Sequence, residues 1–406
     1  MSTPSVLFRN AIDLNRYSNS VARQIIVNYN DIILDSVDQL QRLIPNVSDD
    51  NLQPITAPAK AARLRSILAQ IKESLATWAN ESTQLAATEF QGLAELQSEF
   101  VEGQLRQALP AGARSVVNTV EISPQFAQAV VTTDPTEIGV VTLSDDLFAA
   151  VEGSPQRFSL TAAQGTAITL PNGRVVEKAF RGIAEQQAER FSQVVRQGLL
   201  TGEPTQDIAK RLVGRLEFGQ RARSVKQLQL AGGELTKAAG HQVLTLVRTS
   251  VNQVANAASQ QTYEANQDIT QKYRYVATLD TRTSAICRAL DGREFEYGKG
   301  PKPPQHFNCR STTVPVIDYE GLGLTPPREG RRAAAGGMVP ANQSYGEWLS
   351  KQSKSRQAEA LGESRVPYFK RLSRKYGPRD AIAKLVRDDG SELTLDDLRK
   401  RYGRIN

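Results

Sequence analysis

At 406 residues, 40% hydrophobic and 23% charged, the chain has an ordinary globular composition and exceeds what one core usually organises, so two to three structural units are expected. It holds no apolar run approaching the roughly 18 residues of a membrane-spanning helix, and its first 17 residues lack the apolar block of a secretory leader, so it is expected to stay in the cytoplasm where it is made. Two cysteines are too few for a disulfide framework, and 50 basic against 43 acidic residues, a formal +7, permit contact with a polyanion without requiring it.

Taken in order, the first hundred residues read as helix. Val21, Ile25, Tyr29, Ile32, Ile33 and Leu40 recur at helical spacing, and Pro, Asn and Asp accumulate over 45–58 to break the pattern. Leu64, Ile67, Leu68, Ile71, Leu75 and Trp78 then form a second stripe, continued by Phe90, Leu93, Leu96, Phe100 and Leu105. From Ala111 the texture changes to β-branched runs at 116–122, 138–143 and 168–176. The last run encloses Pro171-Asn172-Gly173, which predicts a hairpin turn within a small β-containing insert.

Helical spacing returns with Ala179, Ile183, Phe191, Val194 and Val195, is interrupted at 198–202 and resumes over 208–216, with Thr205 as a candidate cap and Asp207 in the first turn. A Gly and Ala stretch at 231–233 precedes a long helix over 235–266. Val243, Leu246, Val247, Val251, Val254, Ala257 and Ala258 occupy one side of it, and Asn and Gln the other. Beyond Val314 the chain is rich in Gly, Pro and Arg through Gly337, which reads as an extended linker. The strongly basic last sixty residues hold helical patterns at 345–361 and 395–402. The expected class is mainly α with a small β-containing insert (α+β): long amphipathic helices over 1–110, the insert over 111–178, a compact loop-rich module within 179–320, and a linker with an extended basic tail over 321–406.

Residues 275–313 carry the chemistry. They concentrate turn formers, paired charges and potential ligands: Asp280-x-Arg282-Thr283-x-x-x-Cys287, the Asp291-Gly292 turn, and Pro304-x-His306-x-Asn308-Cys309-Arg310. Asp280 with Arg282 and Asp291 with Arg310 read as ion pairs holding together a unit with little core. A thiol nucleophile would need His306 to activate Cys309, but no orienting carboxylate or oxyanion loop can be named beside them. A His-Asn nuclease would need a second histidine, and the other one, His241, falls on the long helix.

This pattern resembles the signature of the phage head-morphogenesis family, the Mu protein F-like minor head proteins. Leu246 to Asn252 with Ala255, Asn256 and Ala257 is similar to the helix that enters the family's motif, and Ser344 to Leu349 to its C-terminal sequences. The resemblance implies a minor capsid protein of a tailed phage, made in the host cytoplasm and located in the virion capsid near the portal vertex in several copies. Its implied partners are the portal protein, major capsid or scaffold proteins and packaged double-stranded DNA, and its implied roles are procapsid assembly, DNA packaging or genome ejection. No catalytic residue is implied; Asp280, Arg282, Thr283, Cys287, Asp291, Gly292, His306, Asn308, Cys309 and Arg310 are a structural signature.

Two positions depart from the family pattern. Many relatives have Cys where this chain has Ser284, and their Cys-x-x-Cys with His-x-x-Cys suits a tetrahedral zinc. Here Cys287, His306 and Cys309 remain as the candidate metal set, and no cofactor is expected. The acidic residue that follows Arg-Thr in the long helix of relatives is Ser250 here. In the tail, Lys370, Arg371, Arg374, Lys375, Arg399, Lys400 and Arg401 are candidates for contact with DNA phosphates or with the portal. The competing readings are a nuclease or toxin-type enzyme attached to such a module, and a scaffolding protein absent from the mature virion.

Overall fold

The computed structural model describes residues 3–43, 58–122, 126, 131, 157–160, 170–172, 174–201, 203–214, 233–327 and 330–404, with side chains left out at 3–12, 43, 58–61 and 157–160. The chain is mainly α with three small sheets among the described residues, and no described helix is long and apolar enough to cross a membrane.

Five helices form a bundle: α1 (Thr3–Leu43), α2 (Pro58–Ala108), α3 (Val176–Leu200), α4 (Thr205–Val213) and α5 (Glu234–Glu264). The apolar stripes read from the sequence meet in one core, with Val21, Ile25, Tyr29, Ile33, Leu75, Trp78, Phe90, Phe180, Phe191 and Val247 buried. Each such side chain contributes about 1.5–3 kcal/mol of burial. Trp78 is central. Its ring meets Tyr29 and Phe180 edge-on at 5.3 and 6.0 Å, and its indole N–H donates to the Ile25 carbonyl at 3.0 Å, so the polar atom of a buried aromatic is satisfied. At the start of α5, Gly233 lies against the 212–214 backbone, where a Cβ would come within 2.3 Å of the Val213 carbonyl carbon. Gly233 thus sits at a close crossing of two chain segments.

Three local expectations change. Thr205 is the first residue of α4, with Pro204 at the N-cap and no side-chain cap, while Asp207 does sit in the first turn. The turn at 171–172 is present, closed by Leu170 N–H donating to the Arg174 carbonyl at 2.9 Å. The strand expected after it does not form, because Val176 opens α3 and buries with Phe180 and Ile183 at helical spacing. In the insert, residues 111–116 are 3-10 helix, and β1 (Thr119–Ile122) pairs in parallel with β2 (Arg157–Leu160). The run at 138–143 and residues 168–169 lie outside the described residues.

After α5 the chain forms β3 (Thr270–Val276), α6 (Ala285–Leu290), β4 (Glu294–Glu296) and β5 (Thr312–Ile317), an antiparallel sheet in the order β4-β3-β5. This module docks on α5 through polar groups. The Asn and Gln side of α5 is buried: the Gln260 amide donates to Thr313 Oγ1 at 2.8 Å, Asn252 to the Ser311 carbonyl at 3.0 Å, and Thr312 Oγ1 to Asn256 Oδ1 at 3.2 Å. The same helix meets the end of α2 in kind, with Gln97 donating to Ser259 at 3.0 Å and Ser98 sharing a hydrogen bond with Thr262 at 3.0 Å. Here the apolar stripe misleads. Leu96 is 64% exposed while Gln97 and Ser98 are interior.

Residues 330–404, expected as the end of a linker and an extended tail, instead form a packed unit. A hairpin of β6 (Arg331–Ala334) and β7 (Gly337–Pro340) leads into α7 (Tyr345–Ser350), α8 (Lys354–Leu361), α9 (Val366–Tyr376), α10 (Pro378–Ala383) and α11 (Leu395–Tyr402). The unit has its own core around Tyr345, Trp348, Leu349, Phe369, Leu372, Ile382, Leu393 and Leu398. Sparse apolar residues suffice because the helices are short and firmly started. Ser344 with Glu347 and Thr394 with Asp397 each form a capping box. The pattern at 345–361 is two helices, with Ser353 capping the second.

Candidate functional site

The signature residues surround α6 and the 301–310 loop, and the structure brings them together in three clusters. The first centres on Asp291, whose carboxylate is fully buried. It accepts from the Ala277 N–H at 2.7 Å, from the Tyr345 N–H at 2.7 Å, and from both ends of the Arg332 guanidinium at 2.9 and 3.1 Å. Arg332 also donates to the carbonyls of Ala277 and Gln343. The partner expected for Asp291 was Arg310; the observed one, Arg332, comes from the hairpin that looked like linker. Gly292 follows at φ +77°, a conformation that favours glycine.

The second cluster gives Arg310 its partner. Its guanidinium grips Asp280 through two bonds of 2.6 and 2.9 Å, while Arg282 holds Asp280 mainly by its backbone N–H at 3.0 Å, its own side chain being 81% exposed and 3.7 Å away. Thr283 Oγ1 donates to the same carboxylate at 3.1 Å. Burial pushes the Asp280 carboxyl up, but the hydrogen bonds and charge of Arg310, with Thr283 and the Arg282 N–H, outweigh it and hold the group below its usual range. Ser250 needs no acidic replacement: it is buried and donates to the Leu246 carbonyl at 2.9 Å.

The third cluster is Cys287, His306 and Cys309, whose ligand atoms lie within 4.8 Å of one another. Ser284 caps α6 by accepting the Cys287 N–H at 3.4 Å. This places Cys287 Sγ 3.7 Å from Cys309 Sγ and 3.4 Å from His306 Nε2, with the Tyr275 hydroxyl 3.2 Å away. The loop reaches this point through Asn308, which adopts φ +58° and is tied to α5: its N–H donates to Thr249 Oγ1 at 3.0 Å and its amide to Thr245 Oγ1 at 3.2 Å. Asn is among the few residues that tolerate this conformation, which gives the signature asparagine a structural reason.

Cys309 is the thiol whose pKa is held low, first by the hydrogen bond from Cys287 and then, against the effect of burial, by His306 and the N–H groups of Ser311 and Gln305; Cys287 is correspondingly raised. His306 is raised, chiefly by its hydrogen bond with Cys309. Cys287 is 1% and Cys309 4% exposed, so the sulfurs face one another and the imidazole rather than a substrate-sized opening.

Several residues that tie the module to the helical unit were not singled out from sequence. Arg288, 8% exposed at its side chain, donates to the Ala360 carbonyl at 2.6 Å and pairs with Glu392 at 2.9 Å. The Tyr345 hydroxyl donates to the Asp280 carbonyl at 2.8 Å. The signal for Tyr345 was the Ser344-x-x-Glu347 capping box beside it; Arg288 and Arg332 gave none. The basic candidates do converge. Lys370, Arg371, Arg374 and Lys375 are exposed along one face of α9, opposite buried Val366, Phe369 and Leu372. The Tyr368 hydroxyl donates to the Gly403 carbonyl at 3.2 Å and brings the end of α11, with exposed Arg399, Lys400 and Arg401, beside that helix. Arg399 is engaged by Asp396 at 2.9 Å.

A long helix delivering a small antiparallel sheet and a Cys/His loop makes up most of the segment that matches a known family. Residues 189–314 match the family described as Phage Mu protein F like protein. Among curated proteins it is similar to the minor head protein GP7 of Bacillus phage SPP1, 27% identical over 227 residues that cover 49% of this chain and 66% of that protein. It is also similar to a Haemophilus influenzae protein described as uncharacterized, 27% identical over 117 residues that cover 26% of each. The chain thus spans about a quarter of one relative's length and just under two thirds of the other's. No solved structure matches.

Proposed function

We propose that this protein is a structural component of a tailed-phage head, a minor capsid protein that binds the portal during procapsid assembly and resides near the portal vertex in several copies, without catalysing a reaction. The observation that carries this reading is the coincidence of the family match over 189–314 with the longer resemblance to a minor head protein. The physical character of the molecule supports it. The family segment is fastened on one side to α5 by polar contacts and on the other to the C-terminal unit by Arg332 and Arg288. That makes a rigid platform, as an assembly part that must present fixed surfaces requires.

The basic face of α9 with the end of α11 contacts packaged double-stranded DNA through phosphates, without sequence readout. Six of its cations, Lys370, Arg371, Arg374, Lys375, Lys400 and Arg401, are exposed and lie on two neighbouring elements.

The test is copy counting by mass spectrometry on purified mature virions, together with co-purification of the full chain with the portal. Low-copy presence and portal binding are expected. Abundance in procapsids with absence from virions would make the protein a scaffold, and hydrolysis of DNA by the purified chain would make it an enzyme.

A further inference from the structure

We propose that Cys287, His306 and Cys309 bind one Zn2+ through Sγ, Nε2 and Sγ, and that Ser284 leaves the fourth tetrahedral corner to a solvent ligand. The family resemblance weighs against a metal, because Ser284 stands where many relatives have a cysteine. The geometry points the other way. A tetrahedral zinc with Zn–S of about 2.3 Å and Zn–N of about 2.0–2.1 Å needs sulfur pairs about 3.8 Å apart and sulfur–nitrogen pairs about 3.5 Å apart. Cys287 stands 3.7 Å from Cys309 and 3.4 Å from His306.

The histidine is prepared in the same sense. Its Nδ1 lies 2.9 Å from the Phe307 carbonyl, so Nδ1 carries the proton and donates it there, which leaves the Nε2 lone pair directed to the sulfur side. The supporting shell is present as well: the Tyr275 hydroxyl reaches Cys287 Sγ, and the module holding both sulfurs is buried with Ala277 and Tyr275. The three donors come from α6 and from a loop about twenty residues further on. An ion there cross-links the two segments.

Position 284 sets the character of the site. Ser284 satisfies the start of α6 by taking the Cys287 N–H and adds no thiolate to the three donors. With serine there, the ion has three protein ligands and exchanges more readily than in a closed four-ligand site.

The experiment uses the purified, reduced full-length chain. Metal content is measured by mass spectrometry of the element after gel filtration, and Co2+ is titrated in as a spectroscopic stand-in. One equivalent is expected, with thiolate-to-cobalt charge-transfer absorption and the intense visible bands of a tetrahedral ion, lost in Cys309→Ser. Ser284→Cys retains the fold and is expected to hold the ion more tightly in competition with a chelator, by at least the roughly tenfold that even outer-shell partners contribute. Stoichiometric Co2+ without a thiolate band, or a Cys287–Cys309 disulfide in protein prepared from a reducing cytosol, would overturn the assignment. Neither readout depends on portal or DNA binding, so the site stands or falls separately from the proposed function.

Discussion

The helical bundle and the C-terminal half of the molecule achieve cohesion by different means. Around Trp78 the bundle is an apolar interior in which Tyr29 and Phe180 stack edge-on and nearly every contact is non-directional. From Thr270 onward smaller apolar clusters are joined by ion pairs: Asp291 with Arg332 and Arg288 with Glu392 in the interior, and Asp280 with Arg310 nearer the surface. An apolar core tolerates local adjustment, whereas a buried ion pair tolerates almost none, because a charge left without its partner has nowhere to go. The difference teaches where single substitutions will be costly, and why.

The largest expected effect tests that contrast at its centre. Asp291→Ala strands the Arg332 guanidinium inside the protein and is expected to cost about 3–5 kcal/mol in urea unfolding, as much as truncating a central aromatic of the bundle. Replacing both members by leucine should recover most of that loss, since the penalty lies in isolating one charge rather than in the worth of the pair. A loss under about 1 kcal/mol for Asp291→Ala would show that the C-terminal half relies on its apolar core after all.

A smaller effect is expected in acid. The folded-state pKa of Asp280 lies below its unfolded value, so it stabilises the fold fully above roughly pH 4. That contribution is lost as pH falls through the folded value. The gap in melting temperature between the wild-type chain and Asp280→Asn should therefore narrow from about pH 6 to about pH 3. A gap that is constant over this range would mean that the Asp280–Arg310 bridge acts through shape and not through charge.

The smallest effect on stability belongs to the surface of α9. Converting Lys370, Arg371, Arg374 and Lys375 to glutamate should change unfolding by no more than about 0.5 kcal/mol per site. The same variant should weaken binding to duplex DNA of any sequence and flatten its salt dependence by about 0.9 in log–log slope for each phosphate it no longer neutralises. Unchanged affinity would mean that DNA is not a partner of this face.

The two regions also differed in how readable they were. In the bundle, Val21, Ile25, Tyr29, Leu75 and Trp78 announced their burial by spacing, because an apolar stripe is the same object in sequence and in space. The reading failed at Leu96, where the interior of α2 becomes polar and Gln97 and Ser98 face α5. It failed again at Arg332, whose partner Asp291 is 41 residues away across a stretch with the texture of a linker. Hydrophobic periodicity says nothing about pairings of this kind; only the turns and capping boxes around them are local enough to be read. The Cys287, His306 and Cys309 cluster was visible because potential ligands are rare in this chain, and the helical packing of 366–376 was hidden by its many basic residues.

The polar seam along α5 has one more consequence. Two smooth apolar helices can slide past each other by a turn at little cost, but a shift here would leave Gln97, Asn252 and Gln260 facing the wrong groups, each buried amide costing about 1–3 kcal/mol. The seam therefore acts as a vernier. It admits a single setting between the bundle and the family module, so any surface grasped on one is held at a known distance and heading from every surface on the other.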